Sequence, residues 1–374
     1  MKWDSNTLGE LVKTYGGRIQ TGPFGSQLHQ HDYKLEGIPV VMPKDIINDR
    51  FDTRSISKIS EDDADRLGKH KLSIGDLVLP RRGDINKRAL CKQENIGWIC
   101  GTGCLKIRLN DNIVDPNYLY YYFNLSTVVE SILNKAVGST MLNLSGGILS
   151  SIKLIYPPLP TQHKIASILS AYDDLIENNL KRIKLLEEKA FLTYKGIVRD
   201  EEMVSVNKLE EIIQVVKRKP KILKSDYKGK GDFPIIDQST DFIGGYTDEK
   251  EAIYEDIPMI VFGDHTRILK YINFPFACGA DGTQLVKPKN PNVSDAYLYF
   301  ELISCNLSNY HYARHFKFLK EQIIKLPSET MMKDYKTETD RIFNLIQTLR
   351  LTNTKLREAR DILLPKLMNG QITV

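Results

Sequence analysis

The side chains with the plainest potential for chemistry are two histidines and an aspartate close together in the chain, His29, His31 and Asp32. Imidazole and carboxylate groups are ligands that transition metals accept, and side chains two residues apart point to the same face of a strand. A metal centre needs a complete ligand set, and no second cluster with clear spacing completes this one. We therefore expect no metal site.

Motifs of common enzyme classes do not occur in the sequence. Gly101-Thr-Gly-Cys-Leu-Lys superficially resembles a phosphate-binding loop but lacks the second glycine before the lysine. No G-x-G-x-x-G sequence opens a helix after a strand. The run that begins at Tyr156, Tyr-Pro-Pro-Leu, lacks both the amide or acid and the aromatic residue of an amino-methyltransferase motif. We therefore expect no catalytic residues and no cofactor bound by this chain.

The composition is that of an ordinary globular protein. The chain has 374 residues, of which 41% are hydrophobic and 26% charged, so two or three domains are expected. No stretch reaches the 18 or more apolar residues of a membrane span, and the first residues lack the apolar core of a signal peptide. The five cysteines form no C-x-x-C pair, which excludes paired zinc knuckles and argues against a disulfide framework. These features predict a cytoplasmic protein that does not enter a membrane.

The charge is mildly basic and unevenly distributed. The net charge of +5 permits a polyanionic partner without requiring one. Residues 217–230 hold seven Lys or Arg residues against one Asp. A solvated surface loop would explain this segment equally well.

Further basic and polar loops occur in both halves of the chain. Residues 81–88 follow a strand-like run, and arginine is the side chain best suited to guanine. Residues 263–267 hold the comparable place in the second half, and small polar residues at 22–26 and 138–140 suit phosphate contacts. The residues expected to contact DNA are Arg18, Gln20, Gln27, His29, Lys44, Arg81, Arg82, Lys87, Arg88, Ser139, Thr140, Lys217, Arg218, Lys219, Lys221, His265, Arg267, Arg314, His315 and Lys317.

An internal repeat organises the chain. Four segments of the first half have counterparts in the same order in the second, each ahead of a long helical segment. The matched pairs are Leu8-Gly-Glu-Leu-Val with Leu209-Glu-Glu-Ile-Ile, Trp98-Ile-Cys-Gly-Thr-Gly with Phe276-Ala-Cys-Gly-Ala-Asp, Asp115-Pro-Asn-Tyr-Leu-Tyr-Tyr with Ser294-Asp-Ala-Tyr-Leu-Tyr-Phe, and Ile152-Lys-Leu-Ile-Tyr-Pro with Ile323-Ile-Lys-Leu-Pro.

Residues 161–194 and 331–364 are free of glycine and proline and carry heptad seams. Each segment predicts a helix about 50 Å long, whose seam requires a partner. Asn179 interrupts the first seam and would be costly there unless paired, so we expect it to fix the register. The residues expected to pair the helices are Leu169, Tyr172, Ile176, Asn179, Ile183, Leu186, Ile342, Leu345, Leu349, Leu356 and Leu363.

These patterns predict an α+β fold with an internal pseudo-two-fold repeat. A first β-rich domain would occupy residues 1–157 and a central helix residues 158–199. A second β-rich domain would occupy residues 200–327, and a C-terminal helix residues 328–374. We expect the two helices to pair as an antiparallel coiled coil. In the alternative arrangement, each seam packs on its own globular domain.

The sequence resembles the specificity (S) subunits of type I restriction-modification systems, and the resemblance spans essentially the whole chain. The segments that carry it are Gly22-Pro-Phe-Gly-Ser, Ile74-Gly-Asp-Leu-Val-Leu-Pro-Arg-Arg-Gly-Asp, Gly138-Ser-Thr, Pro157-Pro-Leu-Pro-Thr-Gln-His-Lys-Ile-Ala and Leu363-Leu-Pro-Lys-Leu-Met-Asn-Gly-Gln-Ile. The second half lacks the Gly-Pro-Phe-Gly and Gly-Ser-Thr sequences.

This resemblance implies two target recognition domains that read a bipartite site in double-stranded DNA. It implies that the helices dock two methyltransferase (M) subunits and that restriction (R) subunits join for cleavage. S-adenosylmethionine and ATP would then belong to the partner subunits. Two other functions remain open at this stage, a coiled-coil scaffold that binds proteins and an unrecognised metal-dependent nuclease.

Overall fold

The computed structural model describes residues 3–136, 143–199, 203–279, 282–307 and 314–374. The chain forms two compact units. Unit 1 comprises residues 1–175 and 356–374, and unit 2 comprises residues 176–355. Within the described ranges, no helix is both long enough and apolar enough to cross a membrane.

Unit 1 is an α+β structure whose strands come first. We call its residues 4–156 β-domain 1. Its strands are β1 (Asp4–Thr7), β2 (Gly17–Thr21), β3 (Tyr33–Lys34), β4 (Ile38–Val41), β5 (Ile46–Ile47), β6 (Arg50–Phe51), β7 (Ser57–Ile59), β8 (Leu77–Pro80), β9 (Ala89–Leu90), β10 (Ile99–Cys100), β11 (Cys104–Leu109) and β12 (Lys153–Tyr156). Its helices are α1 (Leu8–Tyr15), α2 (Glu61–Arg66), α3 (Pro116–Tyr122), α4 (Ser126–Lys135) and α5 (Gly146–Ser150), followed by α6 (Leu159–Arg199), which continues into unit 2.

Unit 2 repeats this layout. We call its residues 203–327 β-domain 2. Its strands are β13 (Met203–Lys208), β14 (Ile213–Val215), β15 (Phe233–Ile236), β16 (Gly245–Thr247), β17 (Ile253–Tyr254), β18 (Met259–Gly263), β19 (Leu269–Ile272), β20 (Phe276–Cys278), β21 (Thr283–Pro288) and β22 (Ile323–Pro327). Its helices are α7 (Leu209–Ile212), α8 (Asp295–Ser304) and α9 (His315–Lys320), followed by α10 (Glu329–Met368), whose last turns belong to unit 1.

The sheets of the two β-domains have matching strand orders. The order β2-β11-β8-β9 in β-domain 1 corresponds to β14-β21-β18-β19 in β-domain 2, and the pair β1-β12 corresponds to β13-β22. In a second sheet of each domain, β4 pairs in parallel with β10 as β15 does with β20. The repeat read from the sequence is therefore a repeat of topology.

Two equivalent tyrosines connect helices α3 and α8 to the two-stranded sheets β1-β12 and β13-β22 by hydrogen bonds. Asp115 caps α3 by accepting the N–H of Tyr118, and Ser294 caps α8 by accepting the N–H of Tyr297. The Tyr118 hydroxyl donates to the Ile155 carbonyl over 2.9 Å, and the Tyr297 hydroxyl donates to the Lys325 carbonyl over 2.7 Å. Both rings are fully buried, so each hydroxyl needs the acceptor it finds.

In unit 1, the first turns of α6 pack with the last turns of α10. Ile165 and Leu169 share an apolar cluster with Leu364 and Leu367. Arg360 forms an ion pair with Asp173 over 2.5 Å, and Asp173 also accepts the Tyr121 hydroxyl.

In unit 2, the remaining turns of the two helices meet in antiparallel order. The buried Asn179 side chain donates to the Asn353 side chain over 2.8 Å. Ten residues further along α6, Lys189 pairs with Glu338, which lies earlier in α10. The amide predicted to be costly thus has a partner, although coiled-coil geometry itself stays a prediction.

The residues predicted to pair the helices are buried or half-buried on α6, and those on α10 are too, except Leu345. Leu169, Ile176, Asn179 and Ile183 are buried, and Tyr172 and Leu186 are half-buried. On α10, Ile342 and Leu349 are buried and Leu356 and Leu363 half-buried.

The prediction for Leu345 is wrong. Its side chain is 39% exposed, and the neighbouring Ile346 is buried in its place. Two adjacent apolar residues fit the heptad spacing equally well at this position. Ile346 lies on the same side of α10 as Asn353, which accepts the hydrogen bond of the Asn179 amide. Burial of this side of the helix therefore gives Asn179 its partner.

The predicted segment boundaries at residues 157, 199 and 327 fall at the ends of β12, α6 and β22. The compact units instead divide both long helices between them. The helices have 41 and 40 residues, so they extend beyond the heptad segments 161–194 and 331–364 but stay within the predicted ranges 158–199 and 328–374.

The asparagine pair yields a stability prediction. Asn179→Ala leaves the buried Asn353 amide without its side-chain partner, so the free energy of unfolding should fall by about 1–3 kcal/mol. Asn179→Leu/Asn353→Leu removes both polar groups and should be more stable than either single leucine variant. Urea unfolding followed by circular dichroism measures both effects, with the exposed Asn178→Ala as control. A loss no larger than that of the control would contradict the role of the pair.

Candidate nucleic-acid interface

One end of β-domain 1 collects the loops that follow four of its strands. The central strand β11 is antiparallel to β2 and β8, so its first residue lies beside the last residues of both. The Gly22 N–H donates to the Cys104 carbonyl over 2.9 Å, and the Arg81 N–H donates to the Gly103 carbonyl over 2.7 Å. The Gly101 N–H donates to the Val41 carbonyl. We call residues 22–32, 42–45, 81–88 and 101–103 loop face 1.

Glycine is required where these loops touch. A Cβ atom on Gly22 would lie 1.9 Å from the Gly101 carbonyl oxygen, and one on Gly101 would lie 2.5 Å from the Val41 carbonyl oxygen. Neither backbone oxygen can move without breaking a loop contact. The first glycine of the Gly-Pro-Phe-Gly sequence therefore serves loop packing.

β-domain 2 builds a corresponding face, and two of its three loop hydrogen bonds have direct counterparts in β-domain 1. The Val216 N–H donates to the Leu285 carbonyl, and the Asp264 N–H donates to the Gly282 carbonyl over 2.6 Å. The Gly279 N–H donates to the Ile236 carbonyl over 2.9 Å. We call residues 216–223, 237–239, 264–267, 279 and 282 loop face 2. Asp264 thus takes the place of Arg81 and Gly279 that of Gly101, whereas Val216 bonds two residues further into the central strand than Gly22 does.

Loop face 1 presents several of the predicted DNA contacts. His29, Lys44 and Arg82 are exposed, and Gln27, Arg81 and Lys87 are half-buried. Ser139 and Thr140 lie outside the described residues.

The sequence reasoning missed Phe24 as a contact residue. Its ring is 55% exposed, and the Arg81 guanidinium lies 5.7 Å from the ring centroid. An aromatic residue between the glycines of a polar loop was the available signal. An exposed ring beside a guanidinium suits stacking against a base.

Two predicted contacts precede loop face 1 along β2. The Arg18 guanidinium lies 4.0 Å from the buried Asp76 carboxylate. The Gln20 amide lies 3.4 Å from Nδ1 of the buried His70. Both side chains therefore contact the segment ahead of β8, away from loop face 1.

The prediction that Arg88 contacts DNA is wrong, because the side chain is buried and structural. Its guanidinium donates to the carbonyls of Phe123 and Asn86 and lies 3.4 Å from Asp49. Arg267, from the equivalent loop, donates to the Leu307 carbonyl over 3.2 Å although its side chain is exposed. Arg88 therefore anchors the backbone just after α3, and Arg267 anchors the backbone just after α8.

The prediction for His315 is also wrong. Its side chain is buried. Its backbone N–H donates to the Asp264 carbonyl, as the backbone N–H of Leu144 donates to the Arg81 carbonyl. His315 is thus the counterpart of Leu144 and not of the segment at residues 138–140. Its neighbours Arg314 and Lys317 are exposed.

Loop face 2 carries the basic segment. Lys217, Arg218, Lys221 and His265 are exposed. The exposed Lys219 is tied to the domain, because its N–H donates to the Tyr254 hydroxyl over 2.6 Å and its ammonium group donates to the Ile253 carbonyl.

Each β-domain contains a buried lysine, and the lysine of β-domain 2 supports loop face 2. Burial lowers the pKa of Lys106, which donates to the Asp76 carboxylate over 3.2 Å. Burial likewise lowers the pKa of Lys270, which donates to the Asp237 carbonyl over 2.8 Å. Burial acts to raise the pKa of Asp237, but hydrogen bonds from Ser239 and the charge of Lys270 lower it. Asp237 therefore stays ionised within loop face 2.

The structural role of Arg88 predicts that its replacement lowers the free energy of unfolding more than replacement of an exposed arginine in the same loop. Arg88→Ala leaves the Phe123 carbonyl without this donor and should lower the free energy of unfolding by about 1–3 kcal/mol. The exposed neighbour Arg82→Ala should change it by no more than about 0.5 kcal/mol. Equal urea unfolding midpoints for the two variants would contradict this assignment.

His70 predicts a pH dependence of stability. Burial, followed by the charge of Lys69, lowers its pKa from 6.5 to about 4, so the folded chain keeps the ring neutral. The unfolded chain takes up the proton first, so stability is present above pH 6.5 and is lost as the pH falls toward 4.

The loss from this histidine should reach at most about 3 kcal/mol. Urea unfolding at several pH values measures it, with His70→Gln expected to flatten the dependence. The exposed His163→Gln is the control. An identical pH dependence in the parent and the His70→Gln chain would refute the prediction.

Comparisons with known proteins agree with this architecture. The family model described as the type I restriction modification DNA specificity domain matches residues 1–188 and again residues 201–360. The chain is 25% identical to the type I restriction enzyme MjaIX specificity subunit of Methanocaldococcus jannaschii, over 100% of this chain and 94% of that protein. It is 27% identical to the HindI specificity subunit of Haemophilus influenzae, over 52% of this chain and 40% of that protein.

A solved structure has the same fold. The crystal structure of the type I restriction-modification S subunit from M. genitalium matches with a TM-score of 0.58 at 17% identity. The match covers 98% of this chain and 96% of that one. Because the family model accounts for both halves of the sequence, the chain belongs to the family of type I restriction modification DNA specificity domains.

Proposed function

We propose that this chain is the subunit that selects the DNA target of a type I restriction-modification complex, with loop faces 1 and 2 each binding one half of a split site. The observation that carries the proposal is the equivalence of the two faces. Two equivalent backbone hydrogen bonds, Arg81 to Gly103 with Asp264 to Gly282 and Gly101 to Val41 with Gly279 to Ile236, hold both faces, and basic side chains project from both.

The chemistry of the exposed side chains suits duplex DNA. Lys44 and Arg82 on loop face 1, and Lys217, Arg218 and Lys221 on loop face 2, offer positive charge to phosphates. Arginine also matches the two acceptors of guanine in the major groove. Phosphate contacts would set the position of each domain, and contacts with base edges would provide the sequence information.

The two faces would read different sequences. Loop face 1 exposes Phe24 beside the half-buried Arg81, whereas the equivalent Asp264 of loop face 2 is buried and accepts the Phe316 N–H over 2.8 Å. Loop face 2 instead exposes Lys217, Arg218 and His265. A bipartite target with unlike halves follows from these differences.

The catalytic steps would belong to other subunits. We assign no catalytic residue to this chain, and we assign S-adenosylmethionine and ATP to the partner methyltransferase and restriction subunits. The long helices expose apolar side chains suited to docking partner subunits. These are Ile168, Leu175, Leu180, Leu185, Leu192, Leu345, Leu351 and Ile362. The repeated unit is consistent with two methyltransferase copies.

The electrostatic part of the proposal predicts a salt dependence. Lys217→Ala and Arg218→Ala should each weaken binding to a duplex and reduce the slope of log affinity against log salt by about one per lost phosphate contact. Lys325→Ala removes an exposed charge from β22, outside loop face 2, and serves as the control. Fluorescence anisotropy at several salt concentrations measures the slopes.

The same titrations separate the proposal from a protein-binding scaffold. Together with its methyltransferase partner, the chain should prefer one split sequence over random duplexes of equal length. Binding without sequence preference, or with no change in either basic variant, would overturn the proposal.

A further inference from the structure

The turn that ends the first segment of loop face 1 gathers three metal-ligating side chains. His29, His31 and Asp32 each place one ligand atom within 4.8 Å of the other two. Contrary to the expectation from the sequence alone, we infer that this turn binds a divalent transition-metal ion, with Zn²⁺ as the best fit, through the two imidazoles, the carboxylate and a water molecule. The inference does not depend on the proposed DNA function.

The distances are close to those of a metal site. His31 Nε2 lies 3.2 Å from Asp32 Oδ1, and His29 Nδ1 lies 3.7 Å from Asp32 Oδ2. Tetrahedral zinc with bonds of about 2.0–2.1 Å keeps its ligand atoms about 3.3 Å apart. Small rotations of the two imidazoles would therefore complete the geometry.

The local backbone already orients the carboxylate ligand. The His29 N–H donates to Asp32 Oδ2 over 2.7 Å, which fixes the carboxylate toward the two rings. The imidazole rings lie parallel, with an interplanar angle of 7° and centroids 5.2 Å apart. Fixed orientation of ligands reduces the ordering cost of binding.

One cation competes for the carboxylate, and it has other acceptors. Arg66 Nη2 lies 3.6 Å from Asp32 Oδ2. The same guanidinium donates to Asp63 and to the Gln27 carbonyl, both over 2.7 Å. Arg66 can therefore keep two strong hydrogen bonds while a metal ion occupies Asp32.

Access and ligand number also fit a zinc ion. The His29 and His31 side chains are 52% and 80% exposed, whereas that of Asp32 is only 11% exposed. A metal ion can reach the rings from solvent, and water can supply the remaining ligand. Mg²⁺ prefers oxygen ligands and should not bind at these imidazoles.

The test uses the full-length, untagged chain stripped of metal and titrated with Zn²⁺ alone by calorimetry. One Zn²⁺ per chain should bind at this turn, and His29→Ala or His31→Ala should each weaken it by more than about tenfold. Co²⁺ at the same site should give visible absorption bands that both variants lose. His163→Ala, an exposed histidine on α6, is the matched control and should leave binding unchanged.

Two results would overturn the inference. One is the absence of saturable Zn²⁺ binding to the parent chain. The other is a binding isotherm and Co²⁺ spectrum that stay the same in the His29→Ala/His31→Ala double variant. Both ring positions are exposed, so circular dichroism should show that the variants remain folded.

Discussion

The antiparallel pairing of a central strand with two neighbours underlies the candidate site of each β-domain. Because β11 runs against β2 and β8, its first residue lies where both neighbours end. The first residue of β21 likewise lies beside the last residue of β18, whereas β14 ends opposite the fourth residue of β21. Backbone hydrogen bonds between the emerging loops then hold each face. Side chains on a face can therefore vary without loss of the frame beneath them.

The helices are also held by buried hydrogen bonds. The buried tyrosine hydroxyls at Tyr118 and Tyr297 fasten equivalent helices to equivalent strands. In unit 2, the hydrogen bond between Asn179 and Asn353 selects one register from the heptad alternatives. A buried amide pair stabilises less than two leucines would, but it penalises a shifted alignment. Polar groups of this kind define the structure more than they strengthen it.

The sequence predicted the larger elements because they depend on patterns. Repeated segments and heptads gave the two-copy α+β layout, and most of the α6 seam lies where predicted. The errors lie where tertiary contacts decide. Leu345 and Ile346 fit the heptad spacing equally well. Ile346 is the buried one, and it lies on the same side of α10 as Asn353, which hydrogen-bonds to Asn179.

The candidate site was harder to predict for the same reason. Arg88 and Arg82 are arginines of the same loop, and the sequence does not distinguish them. In the structure, Arg88 is buried and donates to the carbonyl of Phe123, which lies far along the chain. His315 is buried, and its backbone N–H donates to the Asp264 carbonyl as the Leu144 N–H donates to the Arg81 carbonyl in β-domain 1. Residue type indicates what a side chain can do, whereas its burial and acceptors determine what it does.

The most direct test of the account is methylome sequencing of a host that carries this chain with its methyltransferase partner. We predict a methylated motif in two parts that disappears when the chain is removed. Replacing the exposed His265 on loop face 2, as a contact with base edges, should alter one part and leave the other intact. A motif that does not depend on the chain, or two parts that always change together, would contradict the account.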